Sequence, residues 1–347
     1  MRPPVHRHLH LDVDVDGATA HSRARLGIAP EETVGRGEGI STPPSGFAPT
    51  EHDAPARSTG GARMPIVVTG ATGQLGRLVV EELLARDVAP GEVVAGGRRV
   101  GELADLAGRG VRTARVDYDD PATLDAVLSA GDTLLLVSGS QPGARVAQHR
   151  AVVDAAVRAG VGRVAYTSIL RADETPLPLA PDHRATEEML RDSGLPYTLL
   201  RNGWYTENYL PTLQQARRTG ELVSSAGDGR VASATRRDYA AATAAVLAAD
   251  GHEGAVHELS GDTAWGFDEL AAAIGELVGR QVIHRRLSPE EHLATLREGG
   301  LDEGTAGFVV ALDAGIRDGA LALTTGDLSR LAGRPTTPLV EGLRPYA

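Results

Sequence analysis

Three glycines near residue 70 are spaced to cradle a phosphate. Ile66-Val67-Val68-Thr69-Gly70-Ala71-Thr72-Gly73-Gln74-Leu75-Gly76 passes from an apolar run, through glycines, into a helical pattern. A strand feeding a glycine-rich turn that opens a helix offers an anion free N–H groups and a positive dipole end. Gly70 permits the tight turn, Gly73 lets the backbone approach a pyrophosphate, and Gly76 lets the helix pack close to the strand. The spacing is G-x-x-G-x-x-G rather than the commoner G-x-G-x-x-G, so the flanking strand and helix carry the reading. They predict a nicotinamide dinucleotide.

NAD-binding sites place a carboxylate at the end of the second strand for the ribose hydroxyls. Here that strand ends Ala95-Gly96-Gly97-Arg98-Arg99, with no acid. Arg98 is placed to pair with a 2′-phosphate through a charge-assisted bond. The expected cofactor is therefore NADPH. Asp117, just after the third strand, either accepts from the adenine amino group or caps the helix from Pro121 onward.

What the chain lacks restricts what it can do with that cofactor. It has no cysteine, and all 35 of its Lys+Arg are arginine. Thiolate catalysis, Cys-ligated metals and Schiff bases are excluded, as is a Tyr–Lys acid/base pair. Where such a pair would stand, the helix reads Asp182-His183-Arg184-Ala185-Thr186-Glu187. His183 and Glu187 share a face at i, i+4 and form either a proton donor or a surface ion pair. Ketone reduction and epimerisation lose support. Hydride transfer to an acceptor needing little acid help remains, and a quinone fits because its reduced oxyanion is a stabilised phenolate.

Around these residues, short apolar runs alternate with amphipathic helices: a strand at 66–68, a helix at 75–86, strands at 93–95, 111–116, 133–137, 163–167 and 197–200. Such alternation predicts an α/β fold, a doubly wound parallel sheet of the NAD(P)-binding Rossmann type. Residues 64–204 would form the Rossmann core. Residues 205–347, with helices near 240–249 and 267–278 and strands near 256–259 and 281–286, would form a smaller C-terminal α/β lobe closing over the substrate. Residues 1–63 are rich in Pro, Gly, Ser, His and Arg without periodicity and are read as a disordered extension. Met64, directly before the first strand, is a plausible start of the functional protein. The net charge of −11 and the lack of a basic stripe argue against nucleic acid. No run approaches the ~20 apolar residues of a membrane span. The expectation is a cytoplasmic protein, with a homodimer as the default assembly.

Several segments together resemble one family. They are Thr69–Gly76, Gln148-His149-Arg150, Ala165-Tyr166-Thr167-Ser168, Arg201-Asn202-Gly203-Trp204-Tyr205, Ala226-Gly227-Asp228-Gly229 and Gly261-Asp262-Thr263-Ala264-Trp265. From about Pro65 to the end, the chain resembles the type 2 NAD(P)H:quinone oxidoreductases, which are NmrA-like atypical short-chain dehydrogenases. The resemblance implies NADPH, no flavin, no metal, and hydride passed directly to a small quinone. It implies a His-x-x-x-Glu in place of the Tyr–Lys pair. Gly70, Ala71, Thr72, Gly73, Gln74 and Leu75 would line the pyrophosphate, and Arg98 the 2′-phosphate. Ser138, Gly139 and Ser140 would lie along the adenosine and ribose, with Arg145 reaching phosphate. Arg201, Asn202, Gly203, Trp204, Tyr205 and Thr206 would flank the nicotinamide. Trp204 and Tyr205 either stack on the quinone or anchor the lobe, with Tyr166 a further substrate contact and His183 or Tyr205 the candidate catalytic groups. The rival reading is a non-catalytic NADP(H)-binding redox sensor of the NmrA type.

Overall fold

A computed structural model describes residues 64–141 and 143–347. The expectations for residues 1–63 lie outside the described residues.

The first part alternates as β1 (Ile66–Val68), α1 (Gln74–Ala85), β2 (Val93–Gly97), α2 (Ala104–Gly108), β3 (Arg112–Arg115), α3 (Pro121–Asp125), β4 (Thr133–Leu136), α4 (Arg145–Ala159), β5 (Arg163–Ile169), α5 (Ala180–Asp192) and β6 (Tyr197–Asn202). The strands of one sheet lie in the order β3-β2-β1-β4-β5-β6-β9, all neighbours parallel, where β9 is Val256–Leu259. Helices cover both faces, so β1, β2 and β5 are buried at every position, and β1 accordingly reads as an unbroken apolar run. The edge strand β3 differs. Its end residues Arg112 and Arg115 are exposed and discourage pairing with another chain. The order reverses between β1 and β4, and the crevice above their carboxyl ends is where such a sheet binds ligands.

The remaining elements are α6 (Leu210–Thr219), β7 (Glu221–Ser224), β8 (Arg230–Val231), α7 (Arg236–Ala248), β10 (Trp265–Gly266), α8 (Phe267–Val278), β11 (Ile283–Arg286), α9 (Pro289–Glu298), α10 (Glu303–Arg317), α11 (Asp327–Ala332) and α12 (Leu339–Leu343). One feature corrects the sequence reading. After about residue 204 the chain does not stay in a separate lobe. It returns to the main sheet, because β9 pairs with β6 and α7 packs along α1 through Ala240 and Ala244, whose small side chains let the helices approach. The strands flanking Ala226–Gly229 pair with other strands. β7 pairs in parallel with β11, and β8 pairs antiparallel with β10. The lobe has a core of its own, around Tyr209, Leu213, Trp265, Phe267, Ile274 and Ile316.

Candidate cofactor and acceptor site

The turn after β1 is built as its glycines predict. Gly70 has φ +61°, a left-handed conformation that favours glycine. Gly73 N–H donates to Gly70 O at 2.8 Å, and Ala71 N–H ties the turn to Gly96 O at 2.8 Å. A Cβ on Gly76 would stand 2.4 Å from Gly70 O, so only glycine lets the helix sit this close to the turn. No side chain caps α1, and no acidic residue stands in its first turn. A helix start of this kind suits an anion.

The end of β2 reaches the same place. A Cβ on Gly97 would meet the Thr72 side chain at 2.7 Å, so the strand delivers Arg98 beside the turn. Arg99 pairs with Glu102, whereas Arg98 is exposed and forms no ion pair with a described residue. Asp117 pairs with Arg115. It does not cap α3, whose N-cap is Asp120.

Across the crevice, the 138–140 loop is held from beneath. Ser138 N–H donates to Thr167 Oγ1 at 2.8 Å, and Gly139 N–H donates to His149 Nε2 at 2.8 Å. Arg145 Nε donates to Gly139 O at 2.5 Å, and its Nη1 lies 3.4 Å from Asp182. Arg145 therefore braces the loop as well as lining the crevice. The roles at His149 follow from its neighbours. Thr186 Oγ1 donates to Asp182 O, so it accepts from His149 Nδ1–H at 2.8 Å. Nε2 is left with the lone pair that receives Gly139 N–H. Burial, with Arg145 nearby, lowers the His149 pKa to about 3 and keeps this arrangement neutral.

His183 and Glu187 are not the surface ion pair that the sequence allowed. They are 6 % and 1 % exposed and do not bond to each other. His183 Nδ1 meets Tyr166 Oη at 2.8 Å, and burial, then Arg145 and His149, lower its pKa to about 3. Glu187 accepts two bonds from Arg201, at 2.9 and 2.7 Å, and one from Ser168 Oγ at 2.6 Å. Arg201 Nη1 also reaches Asp173 and Glu258. The guanidinium is thus occupied by three carboxylates and does not line the crevice. Tyr166 needs a correction too. It is fully buried between the His149 and His183 rings and cannot stack on a substrate. Thr206 is also buried, bonded to Ser233.

These neutral histidines set a pH dependence. Their folded pKa values lie below the ordinary 6.5, so the unfolded chain takes up protons first as the pH drops. The stability they contribute is complete above pH 6.5 and is lost as the pH falls toward 3. The melting temperature should decline from pH 6.5 to 4, with a shallower slope in His149→Gln, whose amide can still accept from Gly139. A flat profile over that range contradicts this account.

Between sheet and lobe lies a cleft of about 270 Å³. Gln74, Leu75, Ser138–Ser140, Ser168 and His183 line its sheet end, and Asn202–Tyr205 line its middle. Trp204 lines the cleft and also packs on the lobe core. Tyr205 is fixed by Arg236, whose guanidinium lies 4.7 Å from the ring centre, and by an edge contact with Tyr239. Asn202 Nδ2 donates to Tyr205 Oη at 3.2 Å, while its buried Oδ1 has no partner among the described residues. The lobe end, which sequence reasoning missed, is walled by Tyr209, His292, Phe308, Leu312 and Asp313. Among the described residues no cluster of three or more His, Cys, Asp or Glu could hold a metal ion.

A family model described as NAD(P)H-binding matches residues 70–250. Quinone oxidoreductase 2 of Escherichia coli (strain K12) is 46 % identical over 278 residues, covering 80 % of this chain and 97 % of that protein. The crystal structure of the NADPH-dependent quinone oxidoreductase from the same species, complexed with NADPH, superposes with TM-score 0.77 at 46 % identity, covering 80 % of this chain and 98 % of that one. Citrobacter sp. triphenylmethane reductase complexed with NADP(H) gives TM-score 0.76 at 38 % identity, covering 81 % and 100 %.

Proposed function

This chain belongs to the NAD(P)H-binding family, and on that premise we propose that it is a flavin-independent NADPH:quinone oxidoreductase. The observation that carries the reading is the cleft itself. One end adjoins an uncapped helix start suited to a pyrophosphate, and the other is a chamber in the lobe lined by aromatic and aliphatic side chains with a few polar groups among them. The relatives' names, quinone oxidoreductase and NADPH-dependent quinone oxidoreductase, support the acceptor and the cofactor.

The residues present fit such a dinucleotide. Gly70–Leu75 would hold the pyrophosphate on the N-terminus of α1. Arg98 would neutralise the 2′-phosphate, and the 138–140 loop would follow the ribose. The unpartnered Oδ1 of Asn202 would accept from the carboxamide at the nicotinamide end. When bound, NADPH supplies the hydride. The protein's part is to orient and to exclude water. Trp204 and Tyr205 offer flat faces for the acceptor ring. His183, kept neutral by burial, shapes the cleft wall and is a poor source of a proton, which suits an acceptor whose reduced oxygen is stabilised without one.

The test is oxidation of NADPH with 1,4-benzoquinone and 1,4-naphthoquinone, without added flavin, for the wild type and Arg98→Ala. We expect turnover well above the uncatalysed rate. In the variant, the KM for NADPH should rise about tenfold or more while that for NADH changes little, because a charge-assisted contact is worth ~1.5–3 kcal/mol. Tight NADP binding with no turnover on any quinone would sink the reading in favour of a redox sensor.

A further inference from the structure

The lobe end of the cleft carries polar groups that the packing of the lobe does not use. Tyr209 stands at the start of α6, with its ring edge-on to Trp265 at 4.9 Å and to Phe267 at 6.2 Å. It is 7 % exposed, and its hydroxyl donates to no described residue. Burial, reinforced by Asp313, pushes this phenol well above its usual range, while the Trp204 indole opposes the rise. An indole N–H can only donate, so the Tyr209 O–H is a donor without an acceptor. A buried polar group left in this state costs free energy that a ligand oxygen would recover.

His292 on α9 faces the same cleft. Its Nδ1 lies 3.1 Å from Asp313 Oδ2 and 3.1 Å from Ser225 Oγ. The Ser225 hydroxyl and backbone N–H both donate to the same carboxylate oxygen, at 3.1 and 2.6 Å. Asp313 therefore draws the imidazole proton onto Nδ1 and fixes the ring. Nε2 makes no hydrogen bond to a described residue. An acceptor lone pair thus shares a chamber with the orphan donor, whose walls include apolar side chains such as Phe308 and Leu312 of α10. A donor and an acceptor held together suit an oxygen that receives one bond and gives another. A phenolic hydroxyl does both, and a quinone carbonyl takes the first.

We propose that Tyr209 Oη and His292 Nε2 form an oxygen-binding subsite at the lobe end of the cleft. It anchors the second oxygen of a para-quinone, and of the hydroquinone it becomes, while the first oxygen lies toward the sheet. This deepens the quinone reading and rests on it. The consequence is selectivity for rings with oxygens at both ends over rings with one.

The test is equilibrium binding of hydroquinone and of phenol to the full chain loaded with NADP⁺, under anaerobic conditions. Trp204, which lines the cleft, and Trp265, beside Tyr209, report it by fluorescence. The wild type is expected to bind hydroquinone at least tenfold more tightly than phenol, the size of one hydrogen bond. That preference should fall to threefold or less in both Tyr209→Phe and His292→Leu. Tyr209→Phe removes only an unpartnered hydroxyl, so its melting temperature should not fall and the variant stays interpretable even where His292→Leu misfolds. A wild-type preference below threefold overturns the subsite, as does a preference unchanged in Tyr209→Phe. Quinone turnover by the wild type is read separately. Turnover without the preference refutes the subsite alone, and the preference without turnover refutes the quinone reading alone.

Discussion

Gly76→Ala is expected to weaken NADPH binding by more than a hundredfold. The added Cβ would lie 2.4 Å from Gly70 O, 2.6 Å from Gly70 C and 2.9 Å from Ala71 N. All three are backbone atoms of the phosphate turn, so no side chain can swing aside. Either α1 backs away from the strand or the turn opens, and both withdraw the N–H groups meant for the pyrophosphate. Overpacking of this kind also costs ~1–3 kcal/mol of stability, so the melting temperature should drop as well. Gly101→Ala is the control, because a Cβ there meets nothing within 4 Å. Titration of NADPH fluorescence checks the pair. An affinity within threefold of wild type in Gly76→Ala would refute the account of the turn.

Arg201→Met should cost ~3–5 kcal/mol of folding stability, the usual loss when one member of a buried ion pair is removed. Glu187 would remain buried, its carboxylate keeping only Ser168 and the half-exposed Arg191. The second change, Arg201→Met with Glu187→Gln, removes that stranded charge and should recover more than half of the loss. Denaturant unfolding of the two single variants and the double measures the coupling. A loss below 1 kcal/mol in Arg201→Met would show that the network is not what holds β6 against α5. The same variant also addresses the expectation that Arg201 touches the cofactor. Its guanidinium is enclosed by Glu187, Asp173 and Glu258, so folded Arg201→Met protein should bind NADPH nearly as well as wild type.

How much the sequence reveals depends on how far apart the cooperating residues lie. The phosphate turn is local. Strand, turn and helix lie within eleven residues, 66–76, and each glycine has a steric reason visible in the spacing. The end of β2 is nearly as legible, because a missing carboxylate is a fact of composition. β9 shows where legibility stops. Val256–Leu259 reads as a strand, but nothing in it says that its partner is β6 rather than a strand of the lobe, since parallel pairing is fixed by contacts about 57 residues apart. The histidines fail for another reason. His149 sits in a helix among polar neighbours, and its role depends on Gly139 before it and Thr186 after it. The far wall of the cleft did carry signals. Ser288 and Glu291 form a capping box that announces α9, and Asp302 caps α10. They mark helices, however, and do not tell which face meets a ligand.

The return of the chain to the main sheet bears on how its selectivity could be transplanted. The chamber wall comes mainly from two stretches, 203–231 and 265–321, separated by α7, which packs on α1, and by β9, an edge strand of the sheet. Acceptor preference is therefore not a cassette. A chimera that exchanges everything after residue 204 with a relative also swaps the helix beneath α1 and an edge of the sheet. The exchange that respects the architecture replaces the two stretches together and leaves residues 236–259 in place.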